Sequence, residues 1–163
     1  MTGFLGAAVL VIAGCSSSAG ESDAGPCTYD ETVDGVTATG TNGEQATIEV
    51  TPGTQPATEL TVEDVCSGDG EAAAAADTVT VNYVGVSLST GEVFDSSYSR
   101  GAPATFGLNQ VIQGWQDGLV GMQEGGTRLL VIPPDQAYGE VSPGPGIAPN
   151  DTLIFVVDLI DVV

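Results

Sequence analysis

Leu153, Phe155, Val157 and Leu159 stand on alternate positions near the end of the chain. A period of two admits only an extended strand with one face turned to a core. Val79, Val81 and Tyr83 alternate in the same way with Thr80 and Asn82. Arg128 to Ile132 reads as a buried strand, ended by Pro133-Pro134 because proline cannot donate to a ladder. Thr90-Gly91 predicts a hairpin turn, with Val93-Phe94 opening the returning strand. One stretch alone has a helical period. Val111, Trp115 and Leu119 lie four apart with Ile112 on the same stripe, which predicts a short helix over 110–121 capped by Asn109. The expected class is α+β, an antiparallel sheet with one short helix and no internal repeat.

The upstream half is less regular. Thr47-Ile48-Glu49-Val50 alternates like a short strand, and Pro52 and Pro56 interrupt any regular structure after it. Leu60, Val62 and Val65 fit a strand reaching Cys66, after which Ser67-Gly68-Asp69-Gly70 makes a turn. Glu71 and the five alanines after it have helical propensity, but the run is short and flanked by Gly70 and Asp77, so a loop or single turn stays open. Residues 139–150, rich in Gly and Pro, form an irregular loop.

The first residues carry an address. Residues 3–14 are apolar and stop at Cys15, too short to span a bilayer, which needs about 20 apolar residues. The run fits the apolar region of a signal peptide, 1–14. Ile12-Ala13-Gly14-Cys15 resembles a bacterial lipobox, with Cys15 as the lipidated first residue of the mature chain. A plain secretion signal or a buried hairpin is the alternative, and no Lys or Arg precedes the run. Residues 16–26 read as a polar tether, and 15–56 together as tether and N-terminal extension. If Cys15 carries lipid, Cys27 and Cys66 remain. That parity, in an oxidising compartment, predicts a disulfide closing a loop of about 40 residues, with two free thiols as the alternative. The expected location is extracytoplasmic, with membrane association only through the lipid.

Charge excludes whole classes of function. The 163 residues include 22 Asp and Glu against two basic side chains, Arg100 and Arg128, and no histidine, for a formal net charge of −20. Such a chain cannot gain affinity for nucleic acid by releasing counterions, nor hold an anionic membrane surface with a polybasic segment. Without histidine there is no His-based triad. Two distant cysteines supply too few soft ligands for a metal site.

From about residue 58 to 163 the chain resembles the FKBP-type peptidyl-prolyl isomerases, with landmarks in the family's order. They are Val81-Asn82-Tyr83-Val84-Gly85, Gly91-Glu92-Val93-Phe94-Asp95-Ser96-Ser97 and Gln110-Val111-Ile112-Gln113-Gly114-Trp115. Gly118-Leu119, Gly121-Met122, Ile132-Pro133-Pro134, Ala137-Tyr138-Gly139, Gly146-Ile147-Ala148-Pro149 and Thr152-Leu153-Ile154-Phe155 come next. The resemblance implies a twisted antiparallel sheet wrapped over one short helix, an isomerase domain over 57–163, and a pocket between helix and sheet. Its lining would be Tyr83, Phe94, Asp95, Val111, Ile112, Trp115, Tyr138, Ile147 and Phe155, with Trp115 as the floor and Arg100 supporting Asp95. The N–H of Ile112 and the hydroxyl of Tyr138 would hold a bound peptide, and Asp95, Tyr138 and Tyr83 would be the catalytic side chains. Implied partners are proline-containing segments of secreted proteins and rapamycin-like macrolides. No cofactor is implied, and a monomer is expected. The chain departs from the pattern at Pro103-Ala104, where a second aromatic is common although Phe106 two residues on is kept, at Ala148, and in 139–145, which run one residue longer. Taken without the resemblance, Trp115 reads as core, Asp95 as a turn or cap residue, and Tyr83 and Phe155 as packed strand residues.

These residue types suit the reaction. An X–Pro bond isomerises across about 18–20 kcal/mol of amide resonance. Twisting the bond makes the group less polar, so an apolar aromatic pocket that strips water from the carbonyl favours the twisted state. No proton need move. Asp95 could orient the carbonyl dipole or simply fix Tyr83 and Arg100. Two other readings stand beside the isomerase: a proline-binding chaperone of low activity, and a surface interaction lipoprotein acting through its N-terminal segment.

Overall fold

The computed structural model describes residues 26–163. The apolar leader, Cys15 and the tether up to residue 25 lie outside the described residues.

Two antiparallel sheets make the fold. The first is β1 (Thr28–Val33), β2 (Val36–Thr41) and β3 (Thr47–Val50), in that order. The second holds β4 (Thr61–Cys66), β5 (Thr78–Ser87), β6 (Val93–Ser96), β7 (Ala104–Gly107), β8 (Thr127–Ile132) and β9 (Leu153–Val162). Its order is β4-β8-β9-β5-β6, with β7 also pairing to β5. Two short helices complete it, α1 (Ser97–Arg100) and α2 (Gln113–Leu119).

The alternation read from the sequence sets the layers. Val79, Val81 and Tyr83 of β5 face inward with Leu130 and Ile132 of β8 and Leu153, Phe155, Val157 and Leu159 of β9. They enclose Trp115 and Leu119 of α2. Two glycines four residues apart let α2 sit close to the sheet. A Cβ at Gly114 would lie 2.3 Å from Cγ2 of Ile132, and one at Gly118 would lie 2.8 Å from Cδ2 of Leu130. Arg128 secures the far end of α2: its Nη1 donates to the carbonyl of Gly118 at 2.8 Å, where a cation also meets the negative end of the helix dipole. The rest of its guanidinium forks onto Asp64, at 2.6 and 2.9 Å.

The helix differs from its sequence reading. Leu108–Gln110 is a separate 3-10 turn, and Asn109 caps nothing. Val111 (ψ 174°) and Ile112 (ψ 152°) are extended between the two, and α2 starts only at Gln113, with Ile112 in the capping position. Of the two readings open for the alanine run, the structure has the loop. Ala72 faces Gln123 in an isolated bridge, and the Ala73 N–H donates to Met122 O at 2.9 Å.

The first sheet is the larger surprise, since only β3 was legible. Asp34 and Gly35 join β1 to β2 with φ of 51° and 78°. Two positive φ values give a two-residue hairpin whose twist matches its strands. This sheet lies on the outer face of the second. Tyr29, Val36, Ala38 and Ala46 cover Val84, Val86, Leu129, Val131, Ile154 and Val156. Cys27 and Cys66 are joined, with Cα atoms 6.1 Å apart, so the start of β1 is stapled to the end of β4. A buried polar knot adds a second tie. Asp158, 5% exposed, accepts from Thr127 Oγ1 at 2.5 Å and from the Tyr98 hydroxyl. Asn42, after β2, donates to Thr127 Oγ1 at 2.7 Å. Burial raises the pKa of Asp158 despite these donors.

The outer-face side chains are each worth about 1.5–3 kcal/mol when fully buried. Removing residues 26–56 therefore exposes an apolar face that the remaining chain cannot cover. We expect the 57–163 fragment to unfold roughly 10 °C or more below the 26–163 chain, the shift given by a loss of about 3 kcal/mol. Thermal unfolding followed by circular dichroism measures this; equal midpoints would mean the first sheet adds nothing.

Candidate active site

On the inner side of the second sheet a cavity of about 360 Å³ opens to solvent. Tyr83 comes from β5, Phe94 and Asp95 from β6, Phe106 from β7, and Phe155 from β9. Gln110, Val111 and Ile112 approach from the segment before α2, Trp115 from α2 itself, and Tyr138 from the loop after β8. Most residues expected from the sequence are thus brought together. One is placed differently: Ile147 packs on the inner core without forming the wall. Arg100, expected to support Asp95, stands behind the wall, bound to Asp95 and Tyr83. Gln110 lines the cavity and was not among the expected lining; Phe106 lines it too, an aromatic that the resemblance marks as kept but does not place in the lining. Phe106 follows Ala104 by two positions on β7, so both side chains share one face.

Trp115 forms the floor and is 4% exposed. Three rings stand almost perpendicular to it: Phe155 at 5.2 Å, Tyr83 at 5.3 Å and Phe106 at 5.6 Å between centroids. This edge-to-face arrangement is the favoured one for aromatic quadrupoles. Its indole N–H is buried and finds no hydrogen-bond acceptor among the described residues. Gly85 makes the aromatic wall possible. It stands opposite Phe155 in the β5–β9 ladder. A Cβ there would lie 2.7 Å from Cζ of Phe94 and 2.8 Å from Cε1 of Phe155. Without it these two rings meet edge-on at 5.5 Å.

One polar cluster breaks the apolar wall. The Tyr83 hydroxyl donates to Asp95 Oδ2 at 2.5 Å and accepts from Arg100 Nη2 at 2.8 Å. Arg100 Nη1 closes the triangle on Asp95 Oδ1, and its guanidinium lies 5.4 Å from the centre of the Tyr83 ring. The local sequence builds this geometry. Ser96 caps α1 by accepting from the Ser99 N–H, and Gly101 ends it at φ 71°, so Arg100 turns back toward Asp95. The buried Ser97 hydroxyl accepts from the Tyr83 N–H at 2.9 Å and donates to Asn82 at 3.0 Å. Burial, then the hydrogen bond to Asp95, raises the pKa of Tyr83. The bond from Arg100 to Tyr83 in turn raises that of the guanidinium. Tyr138 is 42% exposed at the rim. The Ile112 carbonyl accepts from the N–H groups of Trp115 and Gln116, while its own N–H makes no backbone hydrogen bond among the described residues. No group of three or more metal-ligating side chains occurs among the described residues.

Residues 69–160 match the family model of the FKBP-type peptidyl-prolyl cis-trans isomerases. The chain belongs to this family. It is 52% identical over 114 residues to an FK506-binding protein of Streptomyces anulatus, covering 68% of this chain and 92% of that one. It is 50% identical over 105 residues to the isomerase FkpA of Escherichia coli, but that match spans 38% of FkpA. The crystal structure of FkpA superposes with a TM-score of 0.60, covering 64% of this chain and 48% of that one. The structure of AtFKBP13, 35% identical, gives 0.58 over 66% of this chain and 96% of the other. The FKBP fold accounts for the antiparallel sheet over α2, and the family match lies wholly downstream of the first sheet.

The buried phenols give a measurable consequence. Tyr29, Tyr83 and Tyr98 have pKa values raised above the ordinary 10.0 by burial first. A group with a raised folded pKa stabilises fully below its unfolded value and loses that contribution as pH climbs through the folded one. Stability should therefore be unaffected by these groups below about pH 9 and fall above about pH 10. Urea denaturation across pH 8 to 11 measures it, and Tyr98→Phe should remove part of the fall. A flat profile to pH 11 would contradict the burial of these hydroxyls.

Proposed function

We propose that the Trp115 cavity isomerises prolyl bonds in secreted proteins outside the cytoplasm, as a monomer, and that the chain is held at the membrane by lipid on Cys15. The observation that carries the catalytic reading is the floor. Trp115 sits under three perpendicular rings in an open cavity whose wall holds a single charged group, Asp95. A prolyl ring fits an apolar floor of this kind, and the amide carbonyl beside it exchanges water for aromatic surface. The planar amide loses more by that exchange than the twisted one, which lowers the barrier without covalent chemistry. Tyr138 and the Ile112 N–H are assigned as the donors that hold the peptide. Asp95, fixed by Tyr83 and Arg100, is assigned to orient the dipole of the rotating carbonyl. No proton transfer is required, so turnover should be nearly flat from about pH 6 to 8.

We assign the isomerase domain to residues 57–163, residues 27–56 as a cover on its outer face, and 16–26 as the tether. The Cys27–Cys66 pair supports an oxidising compartment. Nothing in the site favours a chaperone without turnover. A proline-peptide isomerisation assay on the soluble chain beginning at residue 16 tests the main reading, and absence of catalysis would overturn it. The sole tryptophan gives a second readout. Its emission should change on titration with a rapamycin-like macrolide and saturate at the midpoint of inhibition. Ala104 shares its strand face with Phe106 but falls short of the cavity wall. Ala104→Phe should extend the wall and tighten macrolide binding about fivefold, as roughly 1 kcal/mol of extra apolar burial would give. Inhibition without an emission change would remove Trp115 from the site.

Anchoring is tested separately. Ile12-Ala13-Gly14-Cys15 supports lipidation, so the wild-type chain should be found in the membrane fraction and Cys15→Ser in the soluble one. A wild-type chain recovered only from the medium, unmodified at Cys15, would overturn the anchor.

A further inference from the structure

Asp151 belongs to no strand or helix and lies outside the cavity, yet it is only 6% exposed. Its carboxylate gathers four donors. Ser87 Oγ donates at 2.5 Å, Ser89 Oγ at 2.9 Å, the Ser89 N–H at 3.1 Å and the Ala148 N–H at 3.4 Å. Both arginines are committed elsewhere, Arg100 to Asp95 and Arg128 to Asp64. The charge is therefore held by neutral donors drawn from two separate segments.

Each of those segments supplies side chains to the cavity wall. Ser87 and Ser89 belong to the β5–β6 hairpin, whose returning strand presents Phe94 and Asp95. Ala148 ends the loop that begins with Tyr138 and contains Ile147. This loop is closed at its base by the Asn150 N–H on Gly139 O and the Gly139 N–H on Pro134 O, both 2.7 Å. Within it, Ser142 Oγ holds the Ile147 carbonyl at 2.7 Å. Gly146, at φ +90°, passes so near Phe94 that a Cβ would lie 3.1 Å from the Cβ of that residue. Next to Asp151, Thr152 accepts from the Ala57 N–H at 2.9 Å through its hydroxyl and from the Leu88 N–H at 3.0 Å through its carbonyl.

The geometry points to Asp151 as a positioning residue that fixes the loop carrying Tyr138 against the β5–β6 hairpin, and so sets the place of Tyr138 at the cavity rim and the affinity for peptide, without touching the peptide. Loss of the carboxylate leaves buried donors without an acceptor and frees the loop from the hairpin. A loop that contacts the planar and twisted peptide alike contributes uniform binding, so its loosening raises KM and spares kcat. This kinetic readout rests on the isomerase reading; the structural readout below does not.

The test compares Asp151→Ala and Asp151→Asn in the soluble chain, with folding checked by circular dichroism at the assay temperature. In Asp151→Ala, KM for a prolyl tetrapeptide should rise about tenfold while kcat stays within about twofold. Asp151→Asn keeps a carbonyl acceptor and an amide to which the serine hydroxyls can reorient, and should return KM to within about threefold of wild type. Amide hydrogen exchange on the same proteins should show Ala148 and Ser89 losing roughly tenfold or more in protection while Val156 and Val157 are unchanged. An unchanged KM in folded Asp151→Ala, or a drop in kcat that tracks the folded fraction with KM constant, overturns the proposal. Should the wild type show no turnover, the isomerase reading fails and exchange at Ala148 and Ser89 decides this one. Should Asp151→Ala not fold, Ser89→Ala decides it: a smaller rise in KM with faster Ala148 exchange supports the joint, and no change in either overturns it.

Discussion

The ladder between β5 and β9 runs from Val79 opposite Val162 to Ser87 opposite Leu153, and everything on either side of the sheet depends on its register. Its inner side chains include Tyr83 and Phe155, two of the rings around Trp115. Its outer ones, Val84, Val86, Ile154 and Val156, are the ground on which the first sheet rests. Because side chains alternate, a slip of one residue would turn the cavity wall outward and the outer layer inward. The sheet is apolar on both faces, so hydrophobicity alone would tolerate that slip. Residues of particular size select the register: Gly85 must face Phe94 and Phe155, and Asp158 must face Thr127 and Tyr98.

A chain with two cations against 22 acids has few ways to place positive charge. Both arginines are committed to partners within the chain, each near the end of a helix, Arg128 buried and Arg100 partly open to solvent. Arg100 closes α1 and holds Tyr83 and Asp95; Arg128 closes α2 and holds Asp64. The cavity floor and the polar cluster in its wall are thus each steadied by one guanidinium. Lysine would serve poorly at either position, since it lacks the planar fork that spans two acceptors at once.

The sequence made legible those parts of the fold where one face is apolar and the other is not. The alternation in β5 and β9, the stop at Pro133-Pro134 and the turn at Thr90-Gly91 all appear in the structure. β1 and β2 were missed because their inward positions hold Tyr, Val and Ala among Thr, Asp and Glu, too weak a pattern to count as apolar alternation. The Asp34-Gly35 pair was the available signal. β7 was missed for its length, four residues with one large apolar side chain. The start of α2 was misplaced because Val111 and Ile112 keep helical spacing with Trp115 while their backbone is extended. Spacing reports which side chains share a surface, and here that surface is a cavity wall shared by two conformations. Asp151 left no trace in the sequence reading, since its partners lie 62 to 64 residues upstream as well as three residues before it.

The Cys27–Cys66 link gives the fold a particular load path. Tension entering from the amino-terminal side of Cys27 can pass through the sulfur bridge directly to Cys66, at the end of β4. The whole of β1, β2 and β3 lies within the loop that the bridge closes. They hang from it as a slack side branch, able to cover the outer face without bearing any pull. The force reaches Cys66, the last residue of β4, which pairs with Thr127 of β8. Mechanical strain is thus delivered to a strand that supplies no side chain to the cavity wall.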